Sequence, residues 1–396
     1  MIYDASKERV IIIGASLAGS MAALALGRAG VPVTLIDKER FPRRKPCGEG
    51  LSARGQAELA AAGCSLEALG CSHTKLAGYR IFKEKRSLLI PERSGLVGVP
   101  RVELDQSLLE QAAQFSSTRI MLGQKAVIHE LEGGRCVVRV GDIEERGSAL
   151  VIADGSASPT LRSLGMSITT PRSPRLGTSS AWRLTRGTLG PYVHTFLVPG
   201  GEVYLTPLAD GRFNLSVLGS QELVQRFVHD RSLSLHVEGI SDTLGVAISR
   251  EYPFLSCGAI NTLYRGATCR GAFVIGDACE TFDPCAGFGM THALMTGRLV
   301  GECVLEALGR SDPRTALVRY KRDREVQVRD VRGFTRITAT TMGSRIGRMS
   351  LPFLVASGLA ETVSESVHGP HHASLARRLV SLVGASVVPR AGTSYF

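Results

Sequence analysis

The stretch Val10-Ile-Ile-Ile-Gly14-Ala-Ser16-Leu-Ala-Gly19 decides the fold of this chain. Its first four residues are apolar and β-branched, which predicts a strand buried on both faces and ended by a glycine. Leu17 to Arg28 then has apolar residues at helical spacing, and Val31 to Ile36 is a second apolar strand. The order strand, helix, strand predicts two parallel strands joined by a right-handed crossover. We therefore expect the chain to begin with a doubly wound α/β unit.

The glycines of this stretch stand where a turn must hold a pyrophosphate. Gly14 would make the tight turn, and Gly19 would let the helix pack closely on the strand. The helix N-terminus then presents N–H groups and a positive dipole to the anion. Ser16 replaces the usual central glycine, and Asp37 ends the second strand 18 residues after Gly19, a place that suits ribose recognition. The predicted dinucleotide contacts are Gly14, Ser16, Ala18, Gly19, Asp37 and Lys38.

The composition is that of a globular protein. Of the 396 residues, 44% are hydrophobic and 21% are charged, which excludes wholesale disorder. The net charge is +11, but the basic residues are scattered and only 6% of residues are aromatic, so we expect no nucleic-acid partner. Nine cysteines without any C-x-x-C spacing argue against disulfides and a metal site, and predict a protein of the reducing cytoplasm. The uncharged run Val10 to Gly27 fits a strand and helix better than a transmembrane segment.

The hydrophobic pattern changes along the chain. From about residue 170 to residue 252, short alternating runs are separated by Pro-Gly-Gly and Ala-Asp-Gly turns, which predicts an antiparallel sheet. Ala272 to Ile275 is one more buried strand, Thr291 to Leu308 is a helix, and the chain is helical and basic from Asp312. The sequence thus predicts an α/β fold with a Rossmann-like parallel-sheet domain, an antiparallel-sheet domain and a helical C-terminal tail.

Two further segments narrow the dinucleotide prediction. The first, Val151-Ile-Ala-Asp154-Gly155, lies at the end of the predicted strand Ser148 to Ala153. The second is Gly271-Ala-Phe-Val-Ile-Gly276-Asp277-Ala278, which leads into Asp283-Pro284-Cys-Ala-Gly287-Phe-Gly289-Met290. With the first stretch they resemble, in order, the dinucleotide loop, the DG motif and the GD motif of FAD-dependent enzymes with the para-hydroxybenzoate hydroxylase fold. Arg101, at the start of a predicted helix, resembles the flavin-contacting arginine of that family. The resemblance covers most of residues 8–310.

The resemblance implies FAD as a non-covalent cofactor and NAD(P)H as a transient reductant. It places Asp277 on the ribityl chain and Gly287 to Met290 beside the flavin ring, where the dipole of the helix from Thr291 would stabilise the reduced flavin. It divides the chain into an FAD-binding domain (1–75, 101–169 and 269–311), a substrate domain (76–100 and 170–268) and a helical C-terminal region (312–396). The further FAD contacts that it implies are Arg101, Asp154, Gly276, Pro284, Gly287, Phe288, Gly289 and Met290.

A second resemblance concerns Arg44-Lys-Pro-Cys47-Gly48-Glu49-Gly50-Leu51. This segment is similar to geranylgeranyl reductases of the same superfamily, in which a cysteine in a C-G/A-E-G-L motif approaches the flavin. The resemblance implies flavin contacts by Arg44, Cys47 and Gly48, and makes Cys47 and Glu49 candidate catalytic residues. Arg44 and Lys45 are expected to lower the pKa of the thiol, so that it could act as an acid or base. The alternative, which we favour from the sequence, is a thiol that only packs against the flavin.

The predicted substrate pocket departs from that of the reductases. Their Y-x-W-x-F-P strand corresponds to Val203-Tyr-Leu-Thr-Pro-Leu208, which keeps the tyrosine and the proline but has no tryptophan. Halogenases of this fold carry W-x-W-x-I-P, and the one tryptophan here stands in a different context, which argues against halogenation. The predicted pocket residues are Trp182, Tyr204, Thr206 and Pro207.

These departures favour a monooxygenase that uses NAD(P)H and O₂ to hydroxylate or epoxidise a bulky, largely apolar natural product. The alternatives are a reductase of isoprenoid-type double bonds and a flavin-binding protein without turnover; substrate, electron donor and oligomeric state stay open. Leu351 to Ala360 and Leu379 to Val388 are apolar but too short to span a bilayer. Such stretches are more often core or interface helices; the alternatives, beside a basic tail, are peripheral membrane contact and a cover over an apolar substrate. His368, His371 and His372 are interpreted as a solvated surface.

Overall fold

The computed structural model describes residues 9–83, 86–166, 174–229, 233–308, 313–356 and 359–370. Its strands are, in chain order, β1 (Val10–Ile13), β2 (Val33–Asp37), β3 (Gly50–Leu51), β4 (Thr74–Lys83), β5 (Arg86–Gly98), β6 (Thr118–Leu122), β7 (Ala126–Glu132), β8 (Arg135–Val140), β9 (Ile143–Gly147), β10 (Ala149–Ile152), β11 (Leu176–Arg186), β12 (Val193–Val198), β13 (Gly201–Pro207), β14 (Arg212–Gly219), β15 (Ala247–Arg250), β16 (Leu255–Cys257), β17 (Leu263–Tyr264), β18 (Thr268–Cys269), β19 (Ala272–Val274) and β20 (Glu280–Thr281).

Helices fill most of the remaining described chain. They are α1 (Leu17–Arg28), α2 (Ala53–Ala61), α3 (Arg101–Ala113), α4 (Pro159–Ser163), α5 (Gln221–His229), α6 (Leu233–Leu244), α7 (Gly276–Cys279), α8 (Gly289–Leu308), α9 (Pro313–Gly343), α10 (Arg345–Ala356) and α11 (Leu359–His368), with one 3-10 turn at Pro284–Ala286. Within these ranges, no helix combines the length and the apolar character needed to cross a bilayer.

The stretch around Gly14 lies in a sheet ordered β18-β19-β10-β1-β2-β6, which is parallel except for the antiparallel edge pair β18–β19. β1 lies near its centre and pairs in parallel with β2 on one side and β10 on the other. Helix α1 packs on one face of β1, and the small sheet β7-β8-β9 packs on the opposite face. Because both faces are covered, every residue from Val10 to Ile13 is buried, which explains a run that is apolar at each position. The predicted fold class is confirmed.

Helices α1 and α8 pack closely because α8 contributes glycines to their contact. A Cβ on Gly297 would lie 2.4 Å from the carbonyl oxygen of Ala18, and one on Gly301 would lie 2.6 Å from Cβ of Ala25. Any larger side chain at either position would push the two helices apart. On the same side of the sheet, Gly276 of α7 lies against Ala18 in the first turn of α1.

The antiparallel sheet, ordered β15-β11-β14-β13-β12-β4-β5-β3 with β16 also paired to β11, contains one parallel pair, β12 with β4. One of its faces is apolar, and we call the other the polar face because it carries a row of polar side chains. Alternate residues of a strand point to opposite faces. On the first face, Val203, Leu205, Phe213 and Leu215 form a hydrophobic cluster with Trp182, and α5 packs over it. On the second face lies a row of residues paired in register across four strands: Ser179, Ser216, Tyr204 and Thr195.

The C-terminal helices cover part of the second face. Met342 of α9 and Leu351 of α10 pack against Ile81 of β4 in one hydrophobic cluster. Earlier on α9, Arg324 and Arg332 form ion pairs with Glu280, which follows the predicted GD motif. Glu280 and Arg324 are both 1% exposed, so α9 is held to this segment by a charge pair almost withdrawn from water.

Replacing Glu280 with alanine should destabilise the protein by about 3–5 kcal/mol, because the buried Arg324 loses its partner charge. The free energy of unfolding, measured by urea titration and circular dichroism, checks this. Glu222→Ala is the matched control, since Glu222 and its partner Arg226 are 74% and 54% exposed. That change should cost less than about 0.5 kcal/mol. Equal losses in the two variants would contradict the structural importance of the buried pair.

Candidate active site

The turn after β1 has no room for side chains at its two glycines. A Cβ on Gly14 would lie 2.3 Å from the carbonyl oxygen of Ala153, and one on Gly19 would lie 1.7 Å from the carbonyl oxygen of Gly14. Gly14 also has a φ of +107°, a conformation that residues with a Cβ rarely adopt. The chain therefore approaches the start of α1 as a bare backbone, as the binding of a pyrophosphate requires.

Asp37 lies beside this turn at the end of β2. Its carboxylate accepts hydrogen bonds from the backbone N–H of Ala15 at 2.7 Å and of Glu39 at 2.9 Å. These bonds hold the turn against β2 and place a negative charge at its edge. Lys38, the next residue, is exposed, and its Nζ lies 3.8 Å from Glu39 Oε1.

The first turn of α1 lacks a side-chain cap. Ser16 precedes the helix, but its hydroxyl makes no capping bond. Instead, Ser16 Oγ donates to Asp105 Oδ1 at 3.0 Å and accepts from Arg101 at 3.2 Å. The N–H groups at the start of α1, near Ala18, are thereby available to an anion, where the helix dipole also favours negative charge.

Arg101 connects this turn to the Cys47 segment. Its guanidinium donates to both carboxylate oxygens of Asp105 at 3.0–3.2 Å, to Ser16 Oγ at 3.2 Å and to Cys47 Sγ at 3.7 Å. Burial opposes its charge, but Asp105 and Cys47 raise the pKa of Arg101 above the ordinary value. Asp105 is absent from the sequence prediction; its position one helical turn after Arg101 was the signal that could have identified it.

The GD motif meets the dinucleotide turn from the opposite side. A Cβ on Gly276 would lie 2.9 Å from Cβ of Ala18, and the Gly276 N–H donates to Thr296 Oγ1 of α8 at 3.0 Å. Asp277 is half-buried at this junction. Its backbone carbonyl oxygen accepts a hydrogen bond from the Arg265 guanidinium at 3.0 Å. The structure thus brings the first and third predicted motifs together.

The segment from residue 284 to residue 290 presents backbone outward and hydrophobic side chains inward. Pro284, Gly287 and Gly289 are exposed, while Phe288 and Met290 are buried in the core. Asp154 of the DG motif is half-buried and accepts from Ser158 Oγ at 2.5 Å and from the Thr160 N–H at 3.0 Å, so that it supports the start of α4.

The Cys47 segment is attached to the polar face of the antiparallel sheet. The Cys47 N–H donates to Ser179 Oγ at 3.2 Å, and Ser216 Oγ donates to the Cys47 carbonyl oxygen at 3.2 Å. The two serines are paired across β11 and β14. Neither serine is among the predicted site residues, because only the pairing of distant strands brings them to this segment.

The Cys47 thiol does not have the lowered pKa that the sequence led us to expect. Desolvation raises the pKa of Cys47 above its ordinary value, with Arg101 opposing that rise only in part. Arg44, one of the two residues that were expected to lower this pKa, has its guanidinium carbon 3.9 Å from the ring centre of Tyr252. The sulfur accepts from the Glu49 N–H at 3.3 Å and from Arg101 at 3.7 Å.

Glu49 joins the Cys47 segment to helix α3. Its Oε1 accepts from the backbone N–H of Arg101 at 2.9 Å, the first amide of a helix whose preceding residue is Pro100. Burial raises the pKa of Glu49, although this backbone bond opposes the rise. Glu49 also has a φ of +58°, unusual for a residue with a side chain. Gly48, before it, is exposed.

The four predicted pocket residues do not all lie on one face. Tyr204 and Thr206 belong to the polar face that carries Ser216, whereas Trp182 packs against Phe213 on the opposite face. Pro207 ends β13. In the described part of the chain, no hydrogen-bond partner reaches the buried hydroxyl of Tyr204.

A charged group missed by the sequence analysis lies next to Tyr204. Arg175 forms ion pairs with Glu202, two residues before Tyr204 on β13, and with Asp283. Asp283 in turn accepts from the Cys285 N–H at 3.1 Å, at the start of the 3-10 turn. Arg175 therefore ties the antiparallel sheet to the segment predicted to lie beside the flavin.

The interpretation of the histidine cluster as solvated is wrong for His368. Its side chain is 3% exposed and stacks edge-on against Phe334, with ring centres 5.5 Å apart. Burial lowers the pKa of His368 to about 4. The prediction failed because α11 carries the residue into the core. His371 and His372 lie outside the described residues.

Comparisons with known proteins agree with this arrangement of motifs. A family described as FAD binding domain matches residues 7–184. Menaquinone reductase of Mycobacterium tuberculosis is 30% identical over 321 residues, which cover 76% of this chain and 77% of that protein. This chain belongs to the FAD-dependent oxidoreductases of the para-hydroxybenzoate hydroxylase fold. The resemblance that the motifs indicated is thereby confirmed.

Other relatives of this FAD-dependent oxidoreductase are more distant. Digeranylgeranylglycerophospholipid reductase 2 of Methanopyrus kandleri is 25% identical over 335 residues, or 80% of this chain and 81% of that protein. The crystal structure of P. aeruginosa PqsL in complex with 2-aminobenzoylacetate superposes with a TM-score of 0.71 at 20% identity, over 86% of this chain and 98% of PqsL. At that identity the superposition shows the fold alone.

The residues of the oxidoreductase fit FAD. The bare backbone at Gly14 and Gly19 and the uncapped start of α1 suit the pyrophosphate, and Asp37 stands at the ribose end. Arg101 lies between this turn and Cys47. Asp277 and the exposed backbone at Gly287 complete the predicted set of contacts, and their role in FAD binding stays a prediction.

Replacing Asp277 with alanine should weaken FAD binding roughly 10- to 150-fold, because a charge-assisted hydrogen bond to the ribityl chain is lost. Titration of the apoprotein, followed by flavin fluorescence, gives the dissociation constant. Asp142→Ala, in the exposed turn between β8 and β9, is the control and should leave FAD affinity unchanged. Wild-type affinity in the Asp277 variant would contradict the assignment of the GD motif.

Proposed function

We propose that this oxidoreductase reduces a carbon–carbon double bond in the isoprenoid-type chain of a lipid, with Cys47 as the proton donor and NAD(P)H as the reductant. Two relatives support the substrate class, since menaquinone and digeranylgeranylglycerophospholipid both carry isoprenoid chains. The sequence favoured oxygenation, which stays the competing prediction. The surroundings of the Cys47 sulfur lead us to put double-bond reduction first.

The observation that carries the proposal is the hydrogen bonding around the Cys47 sulfur. Desolvation raises the pKa of Cys47, so the sulfur keeps its proton at neutral pH. The Glu49 N–H and the Arg101 guanidinium already point at the same sulfur atom. Both contacts become stronger when the sulfur is negative. This combination suits a group that must hold a proton until it is needed and then release it.

Reduction of an alkene adds a hydride to one carbon and a proton to the other. FAD, when bound and reduced, supplies the hydride. Cys47 Sγ would supply the proton, and the resulting thiolate would be held by Glu49 N–H and Arg101. The side chain of Cys47 is half-buried, so the sulfur can regain a proton from water before the next turnover. NAD(P)H returns the two electrons, and the sum is one alkene reduced per nicotinamide oxidised.

The residues beside Tyr204 support an apolar substrate. Tyr79 and Tyr204 pack with three buried aliphatic side chains from three different strands, Leu76, Leu96 and Val193. Desolvation raises the pKa of Tyr204 well above its usual value, so its hydroxyl stays neutral. These uncharged side chains, beside the ion pairs of Arg175 with Glu202 and Asp283, would suit contact with a hydrocarbon chain.

The mass of the product tests the proposal against oxygenation. The enzyme, loaded with FAD, is incubated with NAD(P)H and a lipid that carries an unsaturated isoprenoid chain, with and without O₂. A gain of two hydrogens that continues without O₂ supports reduction. A gain of one oxygen that stops without O₂ supports oxygenation, and flavin that NAD(P)H cannot reduce supports a non-enzyme.

Replacing Cys47 with serine should lower product formation roughly 10²- to 10⁴-fold, because a hydroxyl is a much weaker acid than a thiol. The rate of flavin reduction by NAD(P)H and the FAD content should stay normal. Cys64→Ser is the control, since Cys64 is another buried thiol, with its sulfur near the Ala62 carbonyl oxygen. A loss smaller than about tenfold in the Cys47 variant would contradict the proton-donor role.

The pH dependence of product formation gives a second check on Cys47. A raised pKa means that the acid form persists through neutral pH and is lost as pH rises through that value. Single-turnover rates should therefore be constant near pH 7 and fall only above about pH 8.5, the ordinary thiol value. The Cys47→Ser enzyme should lack this alkaline decrease. A decrease of equal size in both enzymes would assign it to another group.

A further inference from the structure

Helix α10 exposes a ridge of apolar side chains. Met349 is 67% exposed and Phe353 is 73% exposed, and Pro352 and Ala356 on the same side are exposed as well. Their spacing, i, i+3, i+4 and i+7, puts all four on one face of the helix. Single exposed apolar residues are common on protein surfaces, whereas a contiguous row on one helix marks a surface that another body covers. We call these four residues the α10 ridge.

The ridge faces outward because the opposite side of α10 is anchored. Leu351 is buried against Ile81 in the hydrophobic cluster below the helix. Arg348 donates to the carbonyl oxygens of Val198 at 3.3 Å and of Gly201 at 3.4 Å, at the ends of β12 and β13. Turning the ridge inward would break these contacts.

A basic hairpin end lies next to α10. In β4 and β5, Ile81 pairs with Leu88 and Lys83 pairs with Arg86. Since alternate residues share a face, Lys83 and Arg86 extend the same face on which Ile81 and Leu88 pack beneath α10. Lys83 and Arg86 are both exposed. We call these two residues, Lys83 and Arg86, the basic hairpin end.

We propose that the α10 ridge and this hairpin end together bind the surface of an anionic phospholipid bilayer. Apolar side chains on one face of a helix enter the boundary between headgroups and acyl chains, while nearby Lys and Arg side chains bind anionic headgroups. The proposal concerns a surface of the molecule and does not depend on which reaction the active site performs.

A second copy of this chain fits the same surface less well. Each copy carries a net charge of +11, and the basic hairpin ends would approach one another in a symmetric contact. A stable protein interface also uses about 20–30 residues a side, many more than the ridge and hairpin end provide. The surface of an anionic bilayer carries the opposite charge, and binding to it needs only a shallow apolar contact.

Sedimentation with lipid vesicles tests the proposal on the full-length, FAD-loaded protein. The vesicles are made of phosphatidylcholine alone or of phosphatidylcholine with phosphatidylglycerol. Wild-type protein should bind the anionic vesicles, and more weakly at high salt. Met349→Gln/Phe353→Gln should weaken binding by about tenfold or more, and Lys83→Gln/Arg86→Gln should weaken it and reduce its dependence on salt.

The control changes two other exposed apolar residues, Val318 and Val326 of α9, to glutamine. This variant should bind vesicles as the wild type does. FAD content and flavin reduction by NAD(P)H, measured in all variants, verify that each is folded. Equal weakening in the control and ridge variants, or no vesicle binding by the wild type, overturns the proposal. A dimer that Met349→Gln/Phe353→Gln dissociates would assign the ridge to a second copy and would also overturn it.

Discussion

The hydrogen bonds of Arg101 are the contacts on which the rest of the site depends. One guanidinium group reaches the dinucleotide turn through Ser16, its own helix through Asp105, and the thiol of Cys47. A guanidinium can do this because it carries five N–H donors in a rigid plane, and an ammonium group cannot reproduce that geometry. The two-point contact with Asp105 fixes the direction of the plane, so the sulfur and the cofactor turn are aligned before any ligand binds.

Several hydrogen bonds at once also fix the Cys47 segment, although it has no helical structure. The backbone of Cys47 is tied on both sides by serines of the antiparallel sheet, and the side chain of Glu49 is tied to the first turn of α3. Each tie comes from a regular element whose own position is set by packing. A thiol supported in this way varies little in position, as the proposed proton transfer would require.

The sequence predicted the elements that depend on local pattern and missed those that depend on tertiary structure. The strand and helix around Gly14 follow from apolar spacing and glycine position, and the family follows from three motifs in order. In contrast, Trp182 faces away from the Cys47 segment because of the strand register, which no residue near it reveals. Arg175 escaped prediction because its partners, Glu202 and Asp283, come from distant parts of the chain. Asp105, in contrast, was missed although its partner Arg101 lies only four residues earlier. The pKa of Cys47 was predicted in the wrong direction because sequence neighbours count for less than burial.

The central place of β1 in the parallel sheet also bears on how the protein is made. β1 ends at Ile13, but one of its two neighbours, β10, starts only at Ala149, and β19 adds to β10 only from Ala272 onward. Closing loops of this length is slow, and here it must wait for the residues to exist. Arg324, the partner of Glu280, emerges from the ribosome later still. The sheet that carries the dinucleotide turn is therefore completed only long after β1 itself has been synthesised.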